Sequence, residues 1–177
     1  MSGLPERLAR PDMNDAQAYT AFIGGWQLVL WTTFHPDGTQ DHPFGKDAAG
    51  QIMYSADGHM SCHLMRTDWP MLGKPSVYQV NDSELGASMR GYTGYFGPFS
   101  VDAGAGIVIH HVAGAWYPDW IGADQPRRYA FAGDRLFLEA EVGEDLVRIE
   151  WRRVFAGGAR PVIAPTGGSP AAAHDRA

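Results

Sequence analysis

Short strand-like segments separated by Asp-Gly and glycine-rich turns fill most of this chain. The first apolar run opens with Gly24-Gly25-Trp26, and the last one ends with Trp151-Arg152-Arg153, more than 100 residues later. This pattern is typical of a single antiparallel sheet that closes into a small barrel. Because a closed barrel has an interior, we expect the functional site to lie there.

The turns predict how the strands pair. Asp57-Gly58 has the composition of a tight hairpin turn, and Asp102 to Gly106 has that of a longer one. The segments that we expect to form strands include residues 50–55, 59–66, 92–101, 107–112, 127–139 and 147–154. With the first run, they indicate an all-β fold, an antiparallel up-and-down β-barrel of about eight strands. The interior of such a barrel can hold one small ligand.

The two ends of the chain differ from this central part. Residues 1–13 are rich in proline and charge and are predicted to be a flexible arm. Asn14 is a good N-cap, and apolar residues follow it at helical spacing as far as Ile23, which predicts a short helix that plugs one barrel end. Residues 14–156 are therefore the predicted barrel domain. Residues 157–177 contain mainly Gly, Pro, Ala and Ser, and we expect them to be disordered.

Composition excludes several classes of function. Cys62 is the only cysteine, so an intramolecular disulfide and a cysteine-rich zinc site are excluded and a reducing compartment is favoured. No run approaches the roughly 18 apolar residues of a membrane span, and the amino terminus lacks an apolar signal region. The net charge of -6 argues against a nucleic-acid partner. We expect a cytoplasmic protein with no membrane partner, and we leave a homodimer open.

The chain resembles a known family, the bacterial and fungal lipocalin-like domain proteins, which belong to the wider calycin-type barrels. Four places carry the resemblance: Gly24 to Trp26; Pro43 to Gly45 with Gly50 to Ser61 and Leu64 to Arg66; Tyr95 to Gly97 leading to Asp102; and a set of segments between Val108 and Leu136. Together they cover roughly residues 22 to 155. One departure is His59, where the family commonly has Tyr. The resemblance implies a ligand-holding barrel and no particular reaction.

Two adjacent histidines are the first candidates for chemistry. His110 and His111 lie in one predicted strand, so their side chains point to opposite faces. Pairing Val101 with Val108 across the turn turns His110 inward, whereas a slip of one residue would turn His111 inward instead. A neutral imidazole in the pocket is a ready general base. A purely structural hydrogen bond to a buried neighbour is the competing interpretation for His110.

Other polar and aromatic residues complete the predicted site. The candidate catalytic residues are His110, Tyr95, Tyr54 and Arg127, and the candidate ligand-binding residues are His63, His111, Phe99, Trp116, Trp120, Tyr129 and Met65. A buried Arg127 needs an anionic partner, either a ligand carboxylate or an Asp or Glu of a neighbouring strand. Trp26 with Arg152 or Arg153 is predicted to be a structural cation-π pair.

No metal or cofactor is expected. His59 and His63 stand four residues apart, which in a strand separates them by roughly 13 Å, too far to share a metal ion. The chain has no dinucleotide-binding glycine motif after a strand, no phosphate loop and no Gly-x-Ser-x-Gly elbow.

Two functions are compatible with these features. The first is binding of a small hydrophobic or aromatic metabolite inside the barrel. The alternative is a cofactor-independent isomerase, cyclase or hydro-lyase of secondary or aromatic metabolism. In that case His110 would act as the base, and Tyr54, Tyr95 or Arg127 would stabilise developing negative charge.

Overall fold

The computed structural model describes residues 4–155, which contain two α-helices and ten strands. Helix α1 is Asp15–Phe22 and helix α2 is Asp82–Arg90. The strands are β1 Gly24–Phe34, β2 Gln40–Asp41, β3 Ala49–Tyr54, β4 His59–Met65, β5 Tyr92–Asp102, β6 Ile107–His111, β7 Gly114–Ala115, β8 Asp124–Ala132, β9 Arg135–Val142 and β10 Asp145–Arg153. Two short 3-10 turns cover Val77–Gln79 and Pro118–Trp120.

Eight of the strands form a closed antiparallel barrel. Around the wall they follow the order β10, β9, β8, β6, β5, β4, β3 and β1, and the pairing of β1 with β10 closes the ring. The two remaining strands are two-residue additions to β1 and β5. The predicted eight-stranded all-β barrel is confirmed. Both predicted hairpins are also present, and Val101 lies opposite Val108 in the second, as the sequence predicted.

Alternation along each strand decides which side chains face the barrel interior. On β5, Thr93, Tyr95 and Phe99 are buried, whereas Phe96, Pro98 and Ser100 are exposed. Strand β1 departs from strict alternation because its register against β10 shifts between Leu28 and Leu30. Such a bulge moves the inward positions by one residue. Before it Trp26 faces inward, and after it Trp31 does.

Helix α1 closes one end of the barrel. Asn14 and Gln17 form a capping box at its start. Phe22 at its end is fully buried, and its ring lies 5.0 Å from the ring of Tyr54 and 4.9 Å from that of Tyr129.

The helix end is fixed to the barrel by Trp26 and Arg153. The Trp26 indole N–H donates to the Phe22 carbonyl at 2.9 Å. Arg153 donates to the carbonyls of Ala21 and Ile23, where a positive charge also complements the helix dipole. Its guanidinium lies 4.0 Å from the centre of the Trp26 ring. Of the two arginines left open by the sequence, Arg153 therefore forms the cation-π pair.

The described part of the amino-terminal segment lies against the barrel. Arg7 contacts Glu141 at 2.6 Å and the buried Glu139 at 3.5 Å, and the Glu6 carbonyl accepts from Arg148 at 2.7 Å. Residues 157–177, the predicted tail, lie outside the described residues. Within residues 4–155, no helix is long and apolar enough to cross a membrane.

Candidate functional site

The barrel interior contains a cavity of about 330 Å³ on the side of the barrel away from helix α1. We call it the inner cavity. Its size falls in the range of small-molecule sites. Most of its wall is apolar or aromatic, and its charged side chains are Arg127 and Asp145. The residues that line it are Trp31, Thr33, Ile52, Cys62, Leu64, Thr93, Tyr95, Trp120, Arg127, Leu138, Ala140, Val142, Asp145, Val147, Ile149 and Trp151.

A chain of three buried side chains connects the closed end of the barrel to this cavity. The Tyr54 hydroxyl lies 2.8 Å from Nε2 of His110, and the Tyr95 hydroxyl lies 2.8 Å from Nδ1 of the same ring. His110 is fully buried, and Tyr54 and Tyr95 are nearly so. Tyr54 packs against Phe22 and Phe99, whereas Tyr95 lines the inner cavity.

Burial keeps these three groups neutral. Removal from water lowers the pKa of His110 well below its usual value, and the nearby Arg127 and His111 lower it further. Burial is also the main reason that the pKa values of Tyr54 and Tyr95 are raised. The Cys62 thiol beside Tyr95 has a pKa raised to about 12, again because of burial. His110 is thus neutral, and tyrosine hydroxyls bind both of its ring nitrogens.

Arg127 brings a positive charge to the cavity wall. Its side chain is half-buried and donates to the amide oxygen of Gln125 at 2.7 Å. Among residues 4–155, no carboxylate forms an ion pair with it. The carboxylate in the same wall, Asp145, is instead bound to His35 at 2.9 Å. Of the two partners considered for Arg127, an Asp or Glu of a neighbouring strand is therefore not found paired with it in this part of the chain.

Strand pairing in the barrel wall is interrupted beside Arg127. Pairing between β8 and β9 ends at Arg128 opposite Glu139, so residues 124–127 of β8 and 140–142 of β9 are not paired with each other. A second cavity of about 460 Å³, which we call the outer cleft, lies at this gap. It shares four lining residues with the inner cavity, namely Trp120, Arg127, Ala140 and Val142. The outer cleft and the inner cavity therefore adjoin at this gap.

The structure brings the four candidate catalytic residues together. Tyr54, His110 and Tyr95 form the buried chain, and Arg127 is close enough to influence the pKa of each of them. Within this group, Tyr95 and Arg127 line the inner cavity, whereas Tyr54 and His110 lie behind them.

The candidate ligand-binding residues are spread more widely. Trp120 lines both cavities, and Trp116 lies behind it, donating to Thr93 at 2.7 Å. Phe99 and Tyr129 pack around Phe22 at the plugged end.

The other three candidates occupy positions that alternate with the inward residues of their strands. The His63 ring is hydrogen-bonded to Ser61 and Tyr92. The His111 ring is hydrogen-bonded to Ser100 and Asp124. Met65 is the last residue of strand β4. The structure therefore does not bring these three side chains into the inner cavity.

Much of the cavity wall was not singled out from the sequence. Val147, Ile149 and Trp151 alternate along β10, and this period-two pattern is a signal that could have identified them. Cys62 and Leu64 alternate with His63 in the same way on β4. Trp31 is different, because the bulge in β1 places it inward and the sequence carries no clear mark of that bulge.

The described residues contain no cluster of metal-binding side chains. Across residues 4–155, no group of three or more His, Cys, Asp or Glu side chains is arranged to hold an ion.

A comparison with known protein families identifies the family of this chain. The model of the lipocalin-like domain family matches residues 23–154, which is most of the chain. The chain belongs to the lipocalin-like domain family. A relative from Aspergillus oryzae (strain ATCC 42149 / RIB 40), the 4'-hydroxy-3'-methoxypropiophenone carrier protein ppsC, is 36% identical over 85 residues. That match covers 45% of this chain and 77% of the relative.

A solved structure is also similar at low identity. It is that of a mutant of the fluorescent protein UnaG, which is 10% identical, with a TM-score of 0.37 over 75% of this chain and 96% of that one.

Proposed function

We propose that this lipocalin-like protein binds a small, largely apolar aromatic molecule in the inner cavity and acts as its carrier. The observation that carries the proposal is the cavity itself. It has a volume of about 330 Å³, walls formed mainly by apolar and aromatic side chains, and a few polar groups among them. This combination is typical of sites that bind small molecules.

The aromatic part of the proposal is supported by the composition of the wall. Trp31, Trp151 and Trp120 all line the inner cavity, and Tyr95 and Trp120 pack edge to face at 6.0 Å. Such rings offer both faces and edges to an aromatic ligand.

The relative that carries 4'-hydroxy-3'-methoxypropiophenone supports a carrier role for this chain. Its name describes an aromatic ketone with a phenolic hydroxyl, and we extend that ligand class, aryl ketones and phenols, to the inner cavity.

The alternative, a cofactor-independent enzyme with His110 as base, has weaker support. Both nitrogens of His110 are bound to tyrosine hydroxyls, and the ring does not line the inner cavity. A general base must reach the proton that it removes, directly or through one water molecule. We therefore favour binding over turnover, and we expect aryl ketones to be recovered unchanged after incubation with the protein.

Two measurements test the carrier proposal. The first is native mass spectrometry of the gently purified protein, in which we expect a retained small organic molecule at one per chain. The second is titration with 4'-hydroxy-3'-methoxypropiophenone, followed by quenching of tryptophan fluorescence, since three tryptophans line the inner cavity. We expect saturable binding of one molecule.

Cavity filling provides a matched pair of variants. Ala140→Phe places a ring in the inner cavity and should abolish quenching, whereas Ala132→Phe adds the same ring at an exposed position of β8 and should not. Circular dichroism and thermal unfolding check that both variants fold. Equal binding by Ala140→Phe and the parent protein would place the ligand elsewhere and contradict the proposal.

A further inference from the structure

We propose that Tyr95 and Arg127 together anchor an acidic oxygen, a carboxylate or a phenolate, at the polar end of the ligand, and that Tyr54 and His110 orient the Tyr95 hydroxyl for this contact. The inference rests on the proposed function and adds the chemistry by which the cavity would select among apolar molecules. Tyr95 and Arg127 are the proposed contacts, and Tyr54 and His110 are positioning residues.

Arg127 carries a positive charge that no ion pair within residues 4–155 balances. A half-buried guanidinium in an apolar wall is costly unless an anion or several hydrogen bonds compensate it. The Gln125 amide oxygen, at 2.7 Å, and the Tyr95 hydroxyl oxygen are neutral acceptors for Arg127, and Asp145 is already bound to His35. Within residues 4–155 no carboxylate forms an ion pair with Arg127, although Asp124, Glu139 and Glu141 line the outer cleft on its other side. An anionic ligand atom in the inner cavity would supply a counter-charge.

The two hydrogen bonds of His110, to Tyr54 and to Tyr95, must run in opposite directions. A neutral imidazole donates from one nitrogen and accepts at the other. Tyr54 packs against the rings of Phe22 and Phe99, and His110 is the hydrogen-bond partner of its hydroxyl in the described chain. If His110 donated to Tyr54, the Tyr54 proton would be buried without an acceptor, which is unfavourable. Tyr54 therefore donates to Nε2, and the proton of His110 resides on Nδ1.

The position of the His110 proton determines the role of the Tyr95 hydroxyl. The His110 Nδ1–H donates to the Tyr95 oxygen at 2.8 Å, which leaves the hydroxyl proton of Tyr95 with only the neighbouring Cys62 sulfur, a weak acceptor that a ligand oxygen would replace. Tyr95 lines the inner cavity with Arg127. A ligand oxygen at this point would accept from both side chains. Charge-assisted bonds of this kind are about twice as strong as neutral ones, so the pair favours an anionic oxygen over an ether or alcohol.

Three naphthalenes of similar shape test the inference. They are 1-naphthoate, which carries a carboxylate, 1-naphthol, which carries a phenolic oxygen, and 1-methoxynaphthalene, which is neutral. Affinities are measured by tryptophan quenching for the parent protein and for Arg127→Met. We expect Arg127→Met to bind 1-naphthoate about 10- to 100-fold more weakly and 1-methoxynaphthalene equally well. The size of the 1-naphthol effect tells whether a phenolate is held as well as a carboxylate.

A charge control and a conservative variant accompany Arg127→Met. Arg152→Met removes the same charge from an exposed position on β10 that lines neither cavity, and it should leave all three affinities unchanged. Arg127→Lys keeps the charge and should restore part of the 1-naphthoate affinity. Retained binding of 1-methoxynaphthalene by Arg127→Met shows that the variant folds with its cavity intact.

The orientation of Tyr95 has its own measurement. Nitrogen-15 NMR of the His110 side chain distinguishes a protonated ring nitrogen from a bare one, and we expect Nδ1 to carry the proton. Tyr95→Phe should weaken 1-naphthoate binding more than binding of 1-methoxynaphthalene. A proton on Nε2 would overturn the assigned orientation, because the Tyr95 hydroxyl would then donate to His110.

The outcomes separate this inference from the proposed function. If all three naphthalenes bind the parent protein equally, or if Arg127→Met weakens them equally, the anchor is wrong while binding in the cavity stands. If none of them binds and no retained molecule is found by mass spectrometry, the proposed function fails and the anchor fails with it.

Discussion

Tyr54→Phe and Tyr95→Phe remove chemically identical hydroxyls from opposite sides of His110, and the structure predicts unequal losses of stability. Both substitutions keep the ring, so packing is largely preserved. Tyr54 is 2% exposed and lies against Phe22 and Phe99, so water cannot replace its hydroxyl. The His110 Nε2 left behind becomes a buried acceptor without a partner. We expect Tyr54→Phe to lower the free energy of unfolding by about 1–3 kcal/mol.

Tyr95→Phe exposes the other nitrogen of His110 toward the inner cavity. A water molecule that takes the place of the Tyr95 hydroxyl can bind both Nδ1 of His110 and the Arg127 side chain, which lines the same cavity. The loss should then be that of one exchanged hydrogen bond, about 0.5–1.5 kcal/mol. Urea unfolding followed by circular dichroism measures both values, with unchanged m-values as the check that the unfolding reaction is the same. Equal losses, or a larger loss for Tyr95→Phe, would refute the distinction between a dry and a cavity-facing side of His110.

Three further predictions concern other parts of the barrel. Trp26→Ala should lower the free energy of unfolding by about 3–5 kcal/mol, as core aromatic truncations do, and an unchanged melting temperature would contradict its role in fixing helix α1. Hydrogen bonds to Asp145 and Asp41 raise the pKa of His35 in the folded protein above 6.5, its value in the unfolded chain. The protonated His35 therefore stabilises the fold fully below about pH 6.5, and this stabilisation is lost as the pH rises through the folded-state pKa. As the pH rises from about 6.5 through that pKa, the urea midpoint of unfolding should fall less for His35→Gln than for the parent protein. An equal fall in both proteins would argue against the ion pair between His35 and these aspartates. Cys62, buried with a pKa raised to about 12, should react with a thiol reagent at mildly alkaline pH only as the protein unfolds, and rapid labelling of the folded protein would contradict this burial.

The strand pattern made the barrel predictable, and the turns made much of its pairing predictable. Asp57-Gly58 fixes the first hairpin, and placing Val101 opposite Val108 determines that His110 faces inward. Both are local signals, because a turn and a period-two pattern need only neighbouring residues. Helix α2 also had a local signal that was missed, namely the capping box formed by Asn81 and Glu84.

Features that depend on distant parts of the chain were not predictable in the same way. The inward position of Trp31 follows from a register shift against β10, more than 100 residues away. The lack of an ion pair between Arg127 and any carboxylate of residues 4–155 depends on where every carboxylate of the barrel ends up. The two tyrosines on His110 come from β3 and β5, and the sequence could propose them as candidates without showing that both bind one ring.

The unpaired stretch between β8 and β9 bears on how quickly a cargo could be exchanged. A ligand that left through this gap would have to pass side chains that line the outer cleft, such as Trp120, Arg127 and Arg7, while the pairing of all eight strands stays intact. The residence time of a ligand would then be independent of the rate at which the whole barrel unfolds. Substitutions that stabilise the plugged end would raise the melting temperature without slowing exchange. Evolution could in this way adjust delivery of a molecule and durability of the scaffold separately.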